Sequence, residues 1–269
     1  MKIIEFFGIP YAGKSYFSNF CVKFFNKKQE IYDNNSIFLN YIKRQNKISF
    51  FYYILVKYKN YISLRREKFN SNKSSSKRTK GFIWKIKRLL FFKNFFLFNK
   101  EKIKLFNISK KNYQEFYKIC IDIINLESDF FRRKKLIRWL QEDFNGIFLA
   151  KNFNLPGLMI ISEGFIQRFH SYFLGKNQID QKMLKKYFQQ MPISDYIFYI
   201  NTDVEIIKKR LEPHLGQKKE EYYFKNVLQL SEKMNKIYKE ISINNKIYIV
   251  SKLEEIKKIL NANNFLSND

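Results

Sequence analysis

The chain has 269 residues, 45% of them hydrophobic, which is ordinary for a globular protein and long enough to bury a sizeable core. Lys and Arg outnumber Asp and Glu 51 to 24, a net charge of +27, so anions are the favoured partners: nucleotides, nucleic acid, acidic lipids, or phosphorylated and sulfated substrates. Two histidines exclude a His-rich metal site, and the two cysteines, Cys21 and Cys120, have neither metal-like spacing nor a CxxC pair. They read as small core residues in a reduced compartment. The high aromatic share, 19%, is a pattern that an AT-rich coding sequence also produces.

Residues 2–7 are a short, mostly apolar run that enters Gly8-Ile-Pro-Tyr-Ala-Gly13-Lys14-Ser15 and then a helical segment. This is G-x-x-x-x-G-K-[ST] in a strand–loop–helix setting, the P-loop (Walker A) pattern. Gly8 and Gly13 let the backbone turn its N–H groups toward phosphate oxygens. The helix N-terminus adds positive potential. Lys14 is expected to reach the β- and γ-phosphates, Ser15 to ligate Mg²⁺, and Tyr16 to join the nucleotide-binding set. A strand and P-loop at the N-terminus leave no expectation of a signal peptide there. The longest apolar run, Ile48 to Val56, is too short for a membrane-spanning helix, so a cytoplasmic protein is expected.

Phe17, Phe20, Cys21, Phe24 and Phe25 recur at helical spacing, which predicts a helix from Ser15 to near Asn26. Residues 30–33 form a short candidate second strand, ending in Asp33 and an Asn-Asn-Ser turn. Residues 43–104 carry 19 Lys and Arg against two acids, Glu67 and Glu101. Two aromatic-basic segments of helical type, 47–66 and 82–104, flank a polar basic loop at 70–81. One or two helices follow over 112–144. Residues 157–161 suit a strand buried on both faces, as do 196–200, and 246–250 are the last expected strand. Helices are expected at 204–211, with Thr202 or Asp203 as N-cap, at 217–242 and at 253–260. Apolar strands alternating with helices imply a parallel sheet covered on both faces. The expected fold class is therefore α/β, a three-layer P-loop NTPase fold of about five strands. The expected organisation is one domain over 1–269, with a mainly helical basic insertion at 43–150.

In such sheets ligands sit at the carboxyl ends of strands. There Leu158-Met-Ile-Ile-Ser162-Glu163 has the form of the strand that carries the metal-holding acid, with Ser162 in the Walker-B Asp position and Glu163 next to it. Glu163 is the expected acid and metal ligand. Asp33 is a candidate contact to an acceptor, its plainer reading being a turn residue. Arg168, five residues past Glu163, is a candidate contact to a transferring phosphoryl group, its plainer reading being a solvated helix face. Arg210 ends the helix after the fourth strand, where a cation also complements the helix dipole.

With these residues the chain resembles P-loop kinases of the nucleoside and nucleoside-monophosphate kinase type, thymidylate kinase-like and deoxynucleoside kinase-like proteins among them. The resemblance rests on Gly8–Ser15, on 160–164, on 195–210 and on 246–251, and extends over 1–40 and 151–260. It implies that Lys14 and Arg210 stabilise the transferring phosphate, that Ser15 holds Mg²⁺, and that Glu163 serves metal or acceptor. No Asp-Arg pair follows the third strand as in thymidylate kinases, and residues 43–150 match no acceptor-binding region. The expected activity is ATP- and Mg²⁺-dependent phosphoryl transfer to a small acceptor, nucleosides and nucleotides being candidates. The alternative is a regulatory or membrane-associated nucleotide-binding protein that hydrolyses slowly. Residues 43–104 are then the candidate surface for an anionic membrane or a protein partner, with nucleic acid less favoured because no nucleic-acid motif accompanies the charge.

Overall fold

A computed structural model describes residues 1–25, 29–45, 82–153, 155–173, 181–211 and 247–262, with Gln229 and Glu232; at 82–96, 170, 173, 181, 204 and 211 it describes the backbone alone. The expected helices at 47–66 and 217–242 and the loop at 70–81 fall outside the described residues, the two isolated positions aside.

Fourteen elements are described. They are β1 (Lys2–Gly8), α1 (Lys14–Phe25), β2 (Ile31–Tyr32), α2 (Asn34–Arg44), α3 (Phe82–Asn112), α4 (Gln114–Asn125), α5 (Phe130–Asn152), β3 (Leu158–Ile161), α6 (Phe165–Phe173), α7 (Gln181–Gln190), β4 (Tyr196–Ile200), α8 (Val204–Leu211), β5 (Ile247–Val250) and α9 (Leu253–Ala262). The strands form one sheet in the order β2-β3-β1-β4-β5, and every pairing is parallel.

β1 is central, and its alternation divides the core. Ile3 and Phe7 face one layer, where they pack with buried residues of α2, α4, α5, α6 and α7. Ile4 and Phe6 face the other, with Phe17, Cys21 and Phe25 of α1 and Ile256 and Leu260 of α9. Each such fully buried side chain contributes about 1.5–3 kcal/mol of apolar transfer. The register aligns rings across strands: Phe6 stacks on Phe198 at 5.3 Å, Phe198 on Tyr248 at 5.4 Å, and Phe7 on Tyr199 at 4.8 Å. Helices thus cover both faces of a five-stranded parallel sheet, and the chain has the α/β P-loop NTPase fold.

Two local readings change. The residues after β2 are a helix start, not a turn: Asp33 caps α2, its side chain accepting from the N–H groups of Asn35 and Ser36, while Ser36 Oγ accepts from the Asp33 N–H. Asp and Asn favour turns and helix starts for the same reason, so composition alone did not separate them. The helix predicted to end near Phe144 continues to Asn152, because residues 143–150 are buried throughout, in a helix that packs against α2, α3 and α4 as well as β1. Cys21 and Cys120 are buried free thiols, and burial pushes Cys21 up to about 12. Among the described residues no helix is long and apolar enough to cross a membrane.

Candidate active site

β1, β3, β4 and β5 all end at one edge of the sheet, and the residues after each line a cavity of about 1160 Å³. Lys14 and Ser15 come from the start of α1, just past the loop after β1, Glu163 from after β3, Thr202 from after β4 and Ser251 from after β5. Gly13, Tyr16 and Arg210 line the same cavity.

The loop after β1 is tightly built. Gly8 has φ +156°, and a Cβ there would lie 2.8 Å from the Ile200 carbonyl oxygen of β4. Gly13 has φ +102°, and Tyr11 between them also has positive φ, 67°. Ala12 N–H donates to the Ile9 carbonyl at 3.1 Å, and the Phe17 N–H closes α1 onto Gly13 at 3.1 Å. Substituting Gly8 with alanine should therefore cost about 1–3 kcal/mol, because the backbone of β4 would have to move. Urea unfolding measures this directly, and unchanged stability would contradict the close approach.

Lys14 is 8% exposed, and its Nζ donates to the Gly8 and Ile9 carbonyls at 3.2 and 3.1 Å. Burial lowers its pKa to about 8, against the opposing pull of the Glu163 carboxylate. The ammonium is thus folded into its own loop beside an acid. Thr202 Oγ1 donates to the Ala12 carbonyl at 2.8 Å, and Arg210 Nη1 to the Tyr11 carbonyl at 2.9 Å. Asp203, rather than Thr202, receives an N–H from the first turn of α8, that of Glu205.

Glu163 stands at the cavity wall with its side chain 57% exposed, and Oε2 accepts from Arg168 Nη1 at 2.9 Å. Arg168 itself is 7% exposed and is not one of the lining residues, so it meets the cavity through Glu163. The plainer alternative, a solvated helix face, does not hold, because the residue is buried. Arg168 Nε donates to Asp143 Oδ2 at 2.9 Å, and the guanidinium lies 4.5 Å over the Trp139 ring. Burial pulls the Arg168 pKa down, but Asp143, with Glu163 and Tyr172, outweighs it and the net shift is upward. Complete burial lifts the Asp143 carboxyl to about 7 despite Arg168. Asp33 lies apart from the cavity lining, at the N-cap of α2.

Three further residues shape the site and were not singled out in the sequence. Gln167 lines the cavity, and its Oε1 accepts from the Gly8 N–H at 3.0 Å. Glu5, the one acidic residue of β1, is fully buried. It accepts from Ser194 Oγ at 2.8 Å and from the Ile166 N–H at 2.9 Å, in the first turn of α6. A Cβ on Gly164 would come within 2.4 Å of Glu5 Oε1, so the Glu163-Gly164 turn is seated directly on that carboxyl. A charge in an otherwise apolar strand was the available sign. Asp143 carried no comparable sign, since its partner Arg168 lies 25 residues away.

No protein-family model matches the chain, and no curated protein matches it. Among solved structures, a similar one is that of a deoxyadenosine kinase from M. mycoides with bound dATP. It is 13% identical, with 97% of this chain and 99% of that one covered and a TM-score of 0.37.

Proposed function

We propose that the protein is an ATP- and Mg²⁺-dependent phosphotransferase acting on a small acceptor that bears a hydroxyl or phosphate group. The observation that carries this reading is the convergence of Lys14, Ser15, Glu163 and Arg210 on one cavity at the carboxyl ends of the strands. In this reading Lys14 leaves the Gly8 and Ile9 carbonyls to meet the β/γ-phosphates, and Arg210 spreads charge from the transferring group. Tyr16 and the backbone of Gly8–Ser15 complete the nucleotide contacts.

Ser15 and Glu163 offer a hydroxyl and a carboxylate, hard oxygen donors on the same cavity, and so fit Mg²⁺, which takes few protein ligands and keeps waters and phosphate oxygens. Bound there, Mg²⁺ would neutralise the charge of the β- and γ-phosphates. Asp33 remains the proposed acceptor contact. It follows β2 at the same end of the sheet, and its carboxylate must give up the α2 cap to reach a ligand.

The test is transfer of label from γ-labelled ATP to a panel of nucleosides, nucleotides and sugars. Acceptor-dependent transfer above background hydrolysis supports the reading, while hydrolysis that no acceptor changes favours the regulatory alternative. A pH dependence follows from Lys14. Its free-state pKa of about 8 means that below pH 8 the ammonium is already charged for phosphate binding. Above pH 8 binding must take up a proton, so ATP affinity is expected to fall by up to about tenfold per pH unit. Titrations at pH 7, 8 and 9 measure this, and a flat profile would remove Lys14 from the phosphate contact.

A further inference from the structure

The group that fixes Glu163 is itself fixed from outside the motif. Arg168 is an interior cation, and a charge so placed must be paired and hydrogen-bonded to be tolerated. Asp143 of α5 supplies the pairing at 2.9 Å and is fully buried. Trp139, one helical turn earlier on α5, covers the guanidinium face at 4.5 Å. The other Asp143 oxygen, Oδ1, accepts from Asn34 Nδ2 at 2.7 Å, at the start of α2. Asp143 therefore joins the residues that follow β2 to those that follow β3. The fork geometry of Arg168 leaves Nη1 for Glu163. A half-exposed glutamate without such a partner would sample several rotamers.

We propose that Asp143 is a positioning residue for Glu163: with Trp139 it orients the Arg168 guanidinium so that Nη1 holds the Glu163 carboxylate at the cavity wall, ready to meet the nucleotide-bound metal. The proposal rests on the phosphotransferase reading above. It also gives part of the region that resembles no acceptor-binding segment, residues 139–143, a role in the site. Partners that orient a ligand from behind are worth about 10–100-fold in metal affinity. Removing the Asp143 charge should loosen Arg168, and with it Glu163, without touching the loop that carries Lys14.

The experiment uses the full chain, ATP and Mn²⁺ in place of Mg²⁺, with bound Mn²⁺ read by electron paramagnetic resonance and metal-free ATP affinity by calorimetry. Asp143→Asn is expected to weaken Mn²⁺ binding to the ATP complex about 10–100-fold and to leave metal-free ATP affinity within about twofold of wild type. Glu163→Gln should weaken Mn²⁺ binding similarly, and the double variant should lose no more than Glu163→Gln alone, because both changes act through one carboxylate. Should Asp143→Asn unfold, Arg168→Lys, which keeps the charge but loses the fork, carries the same expectation. Wild-type Mn²⁺ affinity in Asp143→Asn, or strictly additive losses in the double variant, would overturn the positioning role alone. A wild type that binds no ATP would overturn the phosphotransferase reading and this proposal with it.

Discussion

Replacing Lys14 with alanine should lower phosphoryl transfer by on the order of 10²–10³-fold, the scale on which single preorganised charge-stabilising groups act. The structure makes the expectation specific. The Lys14 ammonium is held by the Gly8 and Ile9 carbonyls and faces Glu163, so it is already inside the loop where phosphate oxygens would sit. Alanine removes the only side chain of the loop that can bring a positive charge there. Arginine at position 14 should not rescue, because the larger planar group cannot occupy a space closed by two backbone carbonyls. Folding should survive, since the alanine variant leaves no buried charge unpaired. Steady-state kinetics beside circular dichroism separates the two effects. Folded Lys14→Ala with wild-type turnover would remove the loop from the chemistry.

A second large effect concerns Glu5 and runs through pH. Complete burial is the main cause that lifts its carboxyl to about 7, partly opposed by the hydrogen bonds from Ser194 and Ile166. Below pH 4.5 the folded and unfolded chains both hold this proton. Between about 4.5 and 7 the unfolded chain releases it while the folded chain keeps it, so stability falls as pH rises through that window and stays lower above it. A shift of this size corresponds to on the order of 3 kcal/mol. Asp143, raised for the same reason, adds a loss of the same sign over a similar window. Glu5→Gln keeps an oxygen for the Ile166 N–H and an amide to donate to Ser194 Oγ, and it cannot ionise. Urea unfolding at pH 5 and pH 8 should find the variant close to wild type at the lower pH and more stable at the higher, by up to about 3 kcal/mol. Parallel curves for the two proteins would contradict an ionising Glu5 in the folded core.

How much of this was legible in the chain differs from one element to the next. The loop at 8–15 could be read directly because its requirements are local: glycines where φ is positive or a carbonyl comes close, then Lys-Ser at a helix start. β4 was legible to the residue, because a strand buried on both faces is a plain apolar run between polar ends. Arg168 was not. Its burial depends on Asp143 and Trp139, a tertiary contact that leaves no spacing pattern, and the sequence around it suits an exposed helix equally well. Asp33 illustrates a third case, in which one residue type serves two local structures and only the following helix decides between them.

The role assigned to Glu5 also bears on function. By binding the first turn of α6 it fixes the Glu163-Gly164 turn and, through Gln167, the Gly8 N–H. The buried carboxyl, the glycine loop and the cavity acid are thus joined through the first turn of α6.

The proposed function requires this assembly to bind the triphosphate of a nucleotide. Calorimetric titration of the wild-type chain at pH 7 with Mg²⁺ and, in turn, ATP, AMP and adenosine tests it most directly. ATP is expected to bind, with affinity at least tenfold weaker for AMP and weaker still for adenosine, because in the proposed function Lys14, Ser15 and Arg210 act on the β- and γ-phosphates. Equal affinity for all three, or no binding of ATP at all, would contradict it.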